Sequence, residues 1–114
     1  AHWRRVAIAA AEQCGRTSIP DVRPNLGFLS WLAVPAETPR WMLSPLAQPI
    51  TAQPSAPSPL EVLVGPEGGF SEREAQLLAD HGCIPVSLGP RVLRAETAPV
   101  VALAAIHAPW GDFR

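Results

Sequence analysis

The fold of this chain is decided by VLVGPEGGFS at residues 62–71 and VSLGPRVLRAETA at residues 86–98. In each segment, a short apolar run typical of a buried strand passes into a turn and then into a helix. Strands that alternate with helices predict an α/β fold with a parallel sheet and flanking helices. We expect the two strand exits to lie side by side at the carboxyl edge of the sheet, where open α/β sheets bind small ligands.

Length and charge limit the classes of function. A chain of 114 residues forms one domain at most, and its apolar content of 47% suffices for a packed core. The net charge of −1 gives no broad attraction to nucleic acid or to an anionic membrane. No apolar stretch approaches the roughly 18 residues of a membrane span. We therefore expect no membrane partner, and we expect any RNA to be bound by a local patch.

The cysteines, Cys14 and Cys83, are far apart in the sequence and lack the spacing of metal ligands. We interpret both as buried free thiols in a reducing cytoplasm, and we expect no metal site.

The first half of the chain predicts one clear helix. Apolar residues at positions 3, 6, 7, 10 and 14 indicate an amphipathic helix over residues 2–14, which Gly15 ends. Residues 26–34 could form a short helix, and residues 41–43 a short strand. Residues 44–59 are rich in Pro, Ala and Gln, so we expect a surface connection that forms neither core nor regular structure.

The second half predicts two strands and two helices. A buried strand over residues 60–64 precedes a capping box, in which Ser71 and Glu74 begin a helix that ends at Gly82. The next strand covers residues 84–88.

The last helix begins at Thr97 or Ala98, tolerates Pro99 in its first turn and runs to about Ala108. It is apolar almost all round, which predicts burial on more than one side, by its own core or by a second subunit.

The loop at residues 65–69 has a composition that excludes two common kinds of ligand site. No Gly-Lys-Ser/Thr follows it and Glu67 would repel phosphate, so it is not a phosphate loop. The dinucleotide pattern G-x-G-x-x-G is also absent. An acidic turn with accessible backbone favours a neutral or cationic ligand. The alternative is that its glycines serve the geometry of the turn alone.

The second loop carries three charged residues within six positions, Arg91, Arg94 and Glu96. Such groups could hold an anionic substrate edge or stabilise developing negative charge. A surface salt-bridge cluster is the alternative.

Together, these segments resemble the signature of the bacterial small-subunit rRNA uridine-N3 methyltransferases, a family of the SPOUT superfamily. The resemblance covers essentially all of the chain apart from residues 44–59. The residues that carry it are GPEGGFS at 65–71 with Glu74, LGPRVLRAETA at 88–98, Trp3, AAEQCGR at 10–16, and Ile19 with Pro20.

The resemblance implies a knotted fold and a larger protein. The C-terminal region of SPOUT enzymes is a trefoil knot, which periodicity alone does not predict. Family members also have an N-terminal RNA-binding barrel domain, followed by an early strand and helix. Residues 1–114 are therefore expected to be the C-terminal part of a methyltransferase domain. The resemblance further implies a cytoplasmic homodimer that acts on small-subunit rRNA.

The methyl donor of the family is S-adenosylmethionine, whose sulfonium cation suits a site without strong positive charge. The resemblance implies that loop backbone would bind the adenine edge and apolar side chains would cover its faces. The implied cofactor-binding residues are Leu43, Ser44, Gly65, Glu67, Gly68, Leu88, Gly89, Val92 and Leu93.

Methylation of the weakly acidic N3 of uracil requires help with its proton. Our hypothesis is that Arg94 stabilises the uracil anion and that Glu96 orients the substrate or acts as base. Alternatively, Glu96 caps the last helix or pairs with Arg94. Gln13, Arg16 and Arg91 are candidate RNA contacts, although Arg16 could equally serve the helix dipole.

Two other functions remain open from the sequence. The chain could be a cofactor-binding and dimerisation module without activity of its own, or part of a SPOUT methyltransferase that acts on another RNA. As a fragment, it is expected to be inactive in isolation.

Overall fold

The computed structural model describes residues 2–23, 26–34, 37–66, 69–89, 93–94 and 96–111. The chain divides into two compact units, Ala1–Ala33 and Val34–Arg114. The first unit contains α1 (His2–Cys14) and α2 (Phe28–Leu32). The second unit contains, in order, β1 (Arg40–Leu43), a 3-10 turn (Ile50–Ala52), β2 (Glu61–Leu63), α3 (Glu72–Asp80), β3 (Ile84–Val86) and α4 (Ala98–Trp110).

The sheet of the second unit is parallel, as predicted, and has the strand order β2-β1-β3. Arg40 is paired with Glu61 on one side of β1, and Leu43 is paired with Val86 on the other side. The exits of β2 and β3 leave the same edge of the sheet, but β1 separates them. The prediction that they lie side by side was therefore wrong. β1 is the most deeply buried strand because it lies between the other two, whereas β2 at the side of the sheet is only half-buried.

A hydrophobic cluster of the second unit surrounds Trp41 of β1. Trp41, Ile50 and Val86 are its buried members, and Leu43, Leu60, Leu88, Ala105, Ile106 and others pack against them. The indole of Trp110 at the end of α4 meets Trp41 edge to face, with ring centroids 6.1 Å apart. The last helix is thereby fixed onto the central strand.

Residues 44–59 contribute to this core, contrary to the prediction of a surface connection. Ile50 is only 4% exposed, and Ala56 packs against the same cluster. Proline removes a backbone donor, but the hydrogen bonds that hold this segment use N–H groups of other residues, among them Ile50 and Gln53. A composition rich in proline is therefore compatible with an ordered segment that covers the core.

An ion pair holds the amino ends of β1 and β2 together. Arg40, only 7% exposed, donates from Nε to Glu61 Oε2 at 2.8 Å, and the Thr38 hydroxyl donates to Glu61 Oε1 at 2.9 Å. A buried guanidinium is tolerated only when it is paired. The pair lies at the edge of the sheet opposite to the candidate ligand site.

The capping box of α3 is confirmed. The Glu74 N–H donates to Ser71 Oγ at 3.1 Å, and the Ser71 N–H donates to Glu74 Oε1 at 2.9 Å. The helix ends just before Gly82, as predicted, and its Leu78 is fully buried.

The predicted start of α4 at Ala98 is also confirmed, and the helix continues to Trp110, two residues beyond the predicted end. Ala98 and Ala102 are buried, whereas Val100 and Leu103 on the same helix are exposed. Against the described residues, the helix therefore buries one side only.

The bounds of α1 are confirmed, but most of the apolar residues that indicated it are exposed. Ala11 is buried and Ile8 half-buried, whereas Trp3 and Cys14 are exposed. The helix has alanine at positions 7, 9, 10 and 11, so small apolar residues occur on all sides and the apolar periodicity does not single out one face.

The two thiols differ, which corrects the prediction that both are buried. Cys83 is buried at the start of β3, and Cys14 is exposed in the last turn of α1. Burial raises the pKa of the Cys83 thiol; the nearby Arg40 opposes this effect and Glu61 adds to it. Cys83 therefore remains a neutral thiol at neutral pH.

We predict that iodoacetamide at neutral pH alkylates Cys14 well before Cys83, because the reagent needs an accessible thiolate. Peptide mass spectrometry of the native protein would measure both rates, and the same reaction in denaturant would serve as control. Equal rates in the native protein would contradict the burial of Cys83.

We predict that Ser71→Ala lowers the free energy of unfolding by about 1 kcal/mol, because one amide of α3 loses its cap. Chemical denaturation would measure the loss. Ser55→Ala is the matched control, since Ser55 is exposed and caps no helix. An equal loss in both variants would show that the cap is not responsible.

Candidate functional site

The three strands open onto one edge of the sheet because they run parallel. The ladder between β1 and β3 continues at this edge, where the Ser44 N–H donates to the Val86 carbonyl at 2.9 Å. Six of the predicted cofactor residues lie at these strand ends or in the loops that follow them, and all are half-buried: Leu43, Ser44, Gly65, Leu88, Gly89 and Leu93. The edge therefore presents apolar side chains together with loop backbone.

The loop after β2 closes tightly on its own start. A Cβ at Gly65 would lie 2.9 Å from the backbone nitrogen of Phe70 and 3.0 Å from the carbonyl carbon of Gly69. Gly69 has a φ of 77°, and its N–H donates to the Pro66 carbonyl at 2.7 Å. Both glycines thus have a geometric role: Gly65 permits the close approach, and Gly69 the left-handed backbone.

The loop after β3 begins at Leu88, directly after a residue held by both of its backbone groups. The Ser87 N–H donates to the Gln48 carbonyl at 2.9 Å, and the Ile50 N–H donates to the Ser87 carbonyl at 2.8 Å. Gly89 follows with a φ of 109°. These bonds form an isolated parallel bridge between Pro49 and Ser87, outside the three named strands.

The two predicted catalytic residues lie just before α4. The Arg94 carbonyl accepts from the amides of Thr97 and Ala98 at 3.0 and 2.9 Å, so its backbone is fixed at the helix start. The Arg94 and Glu96 side chains are 83% and 66% exposed, and Nη1 lies 3.9 Å from Oε1. Such an exposed, long ion pair adds little to stability. Thr97 is the N-cap residue of α4, and among the described residues no side chain forms a capping hydrogen bond there.

The other predicted site residues fall into two groups. Glu67, Gly68, Arg91 and Val92 lie outside the described residues. Gln13 and Arg16 belong to the first unit and are exposed there. The Arg16 amide donates to the Ala11 carbonyl at 2.9 Å, and its guanidinium lies 3.5 Å from Ser18 Oγ. The Arg16 guanidinium is therefore exposed to solvent just after the end of α1.

Within the described part of the chain, no cluster of His, Cys, Asp or Glu could hold a metal ion.

None of the helices in that part has the length and apolar character needed to cross a bilayer.

Sequence reasoning missed residues 48–53, which hold Ser87 at the start of the second loop. The segment contains one large apolar residue, Ile50, but Leu46 just before it has the same character and is 96% exposed. The sequence does not distinguish the two, so the buried position becomes evident only in the structure.

Comparison with known proteins identifies the kind of domain to which this edge belongs. A family model described as an RNA methyltransferase domain matches residues 1–107. The chain is 36% identical over 113 residues to the ribosomal RNA small subunit methyltransferase E of Buchnera aphidicola, covering 97% of this chain and 46% of that protein.

Two solved structures are similar at the level of the fold. Ribosomal RNA small subunit methyltransferase E from Neisseria gonorrhoeae, bound to S-adenosyl methionine, has a TM-score of 0.91 and 37% identity, over 99% of this chain and 48% of that one. The methyltransferase Lpg2936 from Legionella pneumophila, in complex with the same cofactor, has a TM-score of 0.88 and 39% identity, over 97% and 46%.

The chain spans about half the length of each of these three proteins. Because the family model covers nearly all of the chain, from residue 1 to residue 107, the chain belongs to the RNA methyltransferase domain family.

Proposed function

We propose that the intact protein containing this chain transfers a methyl group from S-adenosylmethionine to N3 of a uridine in small-subunit ribosomal RNA. The observation that carries the proposal is the carboxyl edge of the parallel sheet, with its tight glycine loop, in a chain 37% identical to a methyltransferase solved with S-adenosyl methionine. The site of methylation follows from the resemblance of the two loops to the uridine-N3 enzymes. The cytoplasm, where ribosomes are assembled in bacteria, is the proposed location.

The residues at the edge fit this cofactor. Leu43, Leu88 and Leu93 are half-buried apolar side chains of the kind that cover the faces of adenine. The backbone of the loops at Gly65 and Gly89 would pair with the polar edge of the base, which must not remain unsatisfied when buried. When bound, the cofactor would supply an electrophilic methyl group to the substrate.

Arg94 and Glu96 are proposed to act on the substrate. The fixed backbone of Arg94 and its exposed guanidinium allow the side chain to reach a uracil oxygen that gains negative charge. Glu96, two residues away, would orient the base or accept the N3 proton. Their mutual ion pair is long and exposed, so breaking it to engage a substrate costs little.

The trefoil knot and a homodimer are part of the same proposal. Val100 and Leu103 are apolar residues of α4 that the described residues leave exposed, and they support an interface there. Gln13, Arg16 and Arg91 are proposed as RNA contacts.

We predict that the intact protein binds S-adenosylmethionine in calorimetry, and that Gly65→Ala weakens binding about tenfold, or about 1.4 kcal/mol, because the added Cβ displaces the loop. Gly27→Ala is the control: Gly27 has a negative φ of −59°, and its Cβ would meet only Ser30 Oγ at 3.9 Å. Absence of binding by the wild-type protein at millimolar cofactor would rule out the proposal.

We predict that Arg94→Ala reduces turnover about 100-fold at saturating cofactor, because a donor aimed at developing charge is lost. Glu96→Gln should also reduce turnover, by about tenfold or more if it moves the proton. N3-methyluridine in small-subunit rRNA would be measured by mass spectrometry. Arg73→Ala, at an exposed arginine of α3, is the control for loss of charge. Unchanged turnover in both test variants would remove these residues from catalysis.

A further inference from the structure

We propose that residues 48–53, termed the bracing segment, are a positioning element for the cofactor loop that begins at Leu88. This inference rests on the proposed function, because it assumes that the loop binds S-adenosylmethionine. It assigns a role in cofactor affinity to residues that contribute no side chain to the predicted cofactor-binding set.

The bracing segment occupies both backbone hydrogen-bonding groups of Ser87. Gln48 accepts from its N–H at 2.9 Å, and Ile50 donates to its carbonyl at 2.8 Å. Ser87 itself is buried, and it joins the end of β3 to Leu88. Directly before the loop, therefore, the chain is held by hydrogen bonds to the bracing segment.

The bracing segment is in turn anchored by one side chain. Ile50 is 4% exposed and belongs to the core cluster with Trp41 and Val86. The 3-10 turn reinforces the anchor, since the Ala52 N–H donates to the Pro49 carbonyl at 2.9 Å and the Gln53 N–H donates to the Ile50 carbonyl at 3.2 Å. Burial of Ile50 thus determines where the hydrogen-bonding partners of Ser87 are placed.

The geometry links the anchor to the loop in two ways. Leu88 packs against the cluster that contains Ile50, and Ser87 is bonded to residues on either side of Pro49. If the anchor is weakened, the loop spends less time in the arrangement that binds the cofactor. The apparent dissociation constant then rises in inverse proportion to the population of that arrangement.

The test is calorimetry of S-adenosylmethionine binding to the intact Ile50→Ala protein. If the binding-competent arrangement falls to about one tenth, the Kd for the cofactor rises about tenfold. Turnover at saturating cofactor should be retained, because the catalytic groups are unchanged. Hydrogen exchange at the amides of Ser87 and residue 50, the two donors that join the loop to the bracing segment, should become faster. This measurement requires no cofactor.

Two control variants separate positioning from general stability. Leu78→Ala truncates a fully buried leucine of α3 that does not belong to the bracing segment, so it should lower the Tm without raising the Kd or the exchange rate at Ser87. Leu46→Ala changes a side chain that is 96% exposed just before the bracing segment and should alter neither quantity.

The proposal is overturned if folded Ile50→Ala protein binds the cofactor as tightly as wild type, or if Leu78→Ala raises the Kd equally. Should Ile50→Ala fail to fold, Ile50→Val removes a single methylene and should give a smaller shift in the same direction. Should the wild-type protein not bind the cofactor, the proposed function fails, and the exchange rates at Ser87 and residue 50 still decide whether the segment braces the loop.

Discussion

The pairing of β1 on both of its edges is the constraint on which the second unit depends. Because Arg40–Leu43 is bonded to β2 on one side and to β3 on the other, both loops leave from one edge of the sheet and stay one strand apart. The same strand places Trp41 at the centre of the core, where it receives Trp110 from α4. The position of the last helix and the spacing of the candidate cofactor loops thus have a common origin.

The features that could be predicted from sequence are those with a local physical cause. The capping box at Ser71 and Glu74 needs only residues three apart, and the start of α4 follows from proline in its first turn. The parallel sheet follows from the alternation of strand and helix. The motifs of the two loops, together with residues 10–16, indicated an RNA methyltransferase, which the family model confirms.

The features that could not be predicted depend on contacts between distant parts of the chain. No sequence feature near residues 41–43 indicates that this strand pairs with two other strands. Within residues 44–59, Leu46 and Ile50 are chemically alike, yet one is in solvent and the other in the core. For α1, alanine on several sides left the buried face undetermined, so Cys14 was assigned to the interior although it is exposed.

The attachment at Ser87 has a consequence for how much the sequence can vary. Its bonds to Gln48 and Ile50 join main-chain atoms alone, and main-chain atoms are common to nearly every residue type. Amino-acid composition in this part of the chain can therefore drift widely, toward alanine, glutamine or serine, while the attachment is preserved. Restrictions remain nonetheless: the amide nitrogens of residues 50 and 87 exclude proline, residue 50 must fill its place in the core, and residue 87 must fit a buried position.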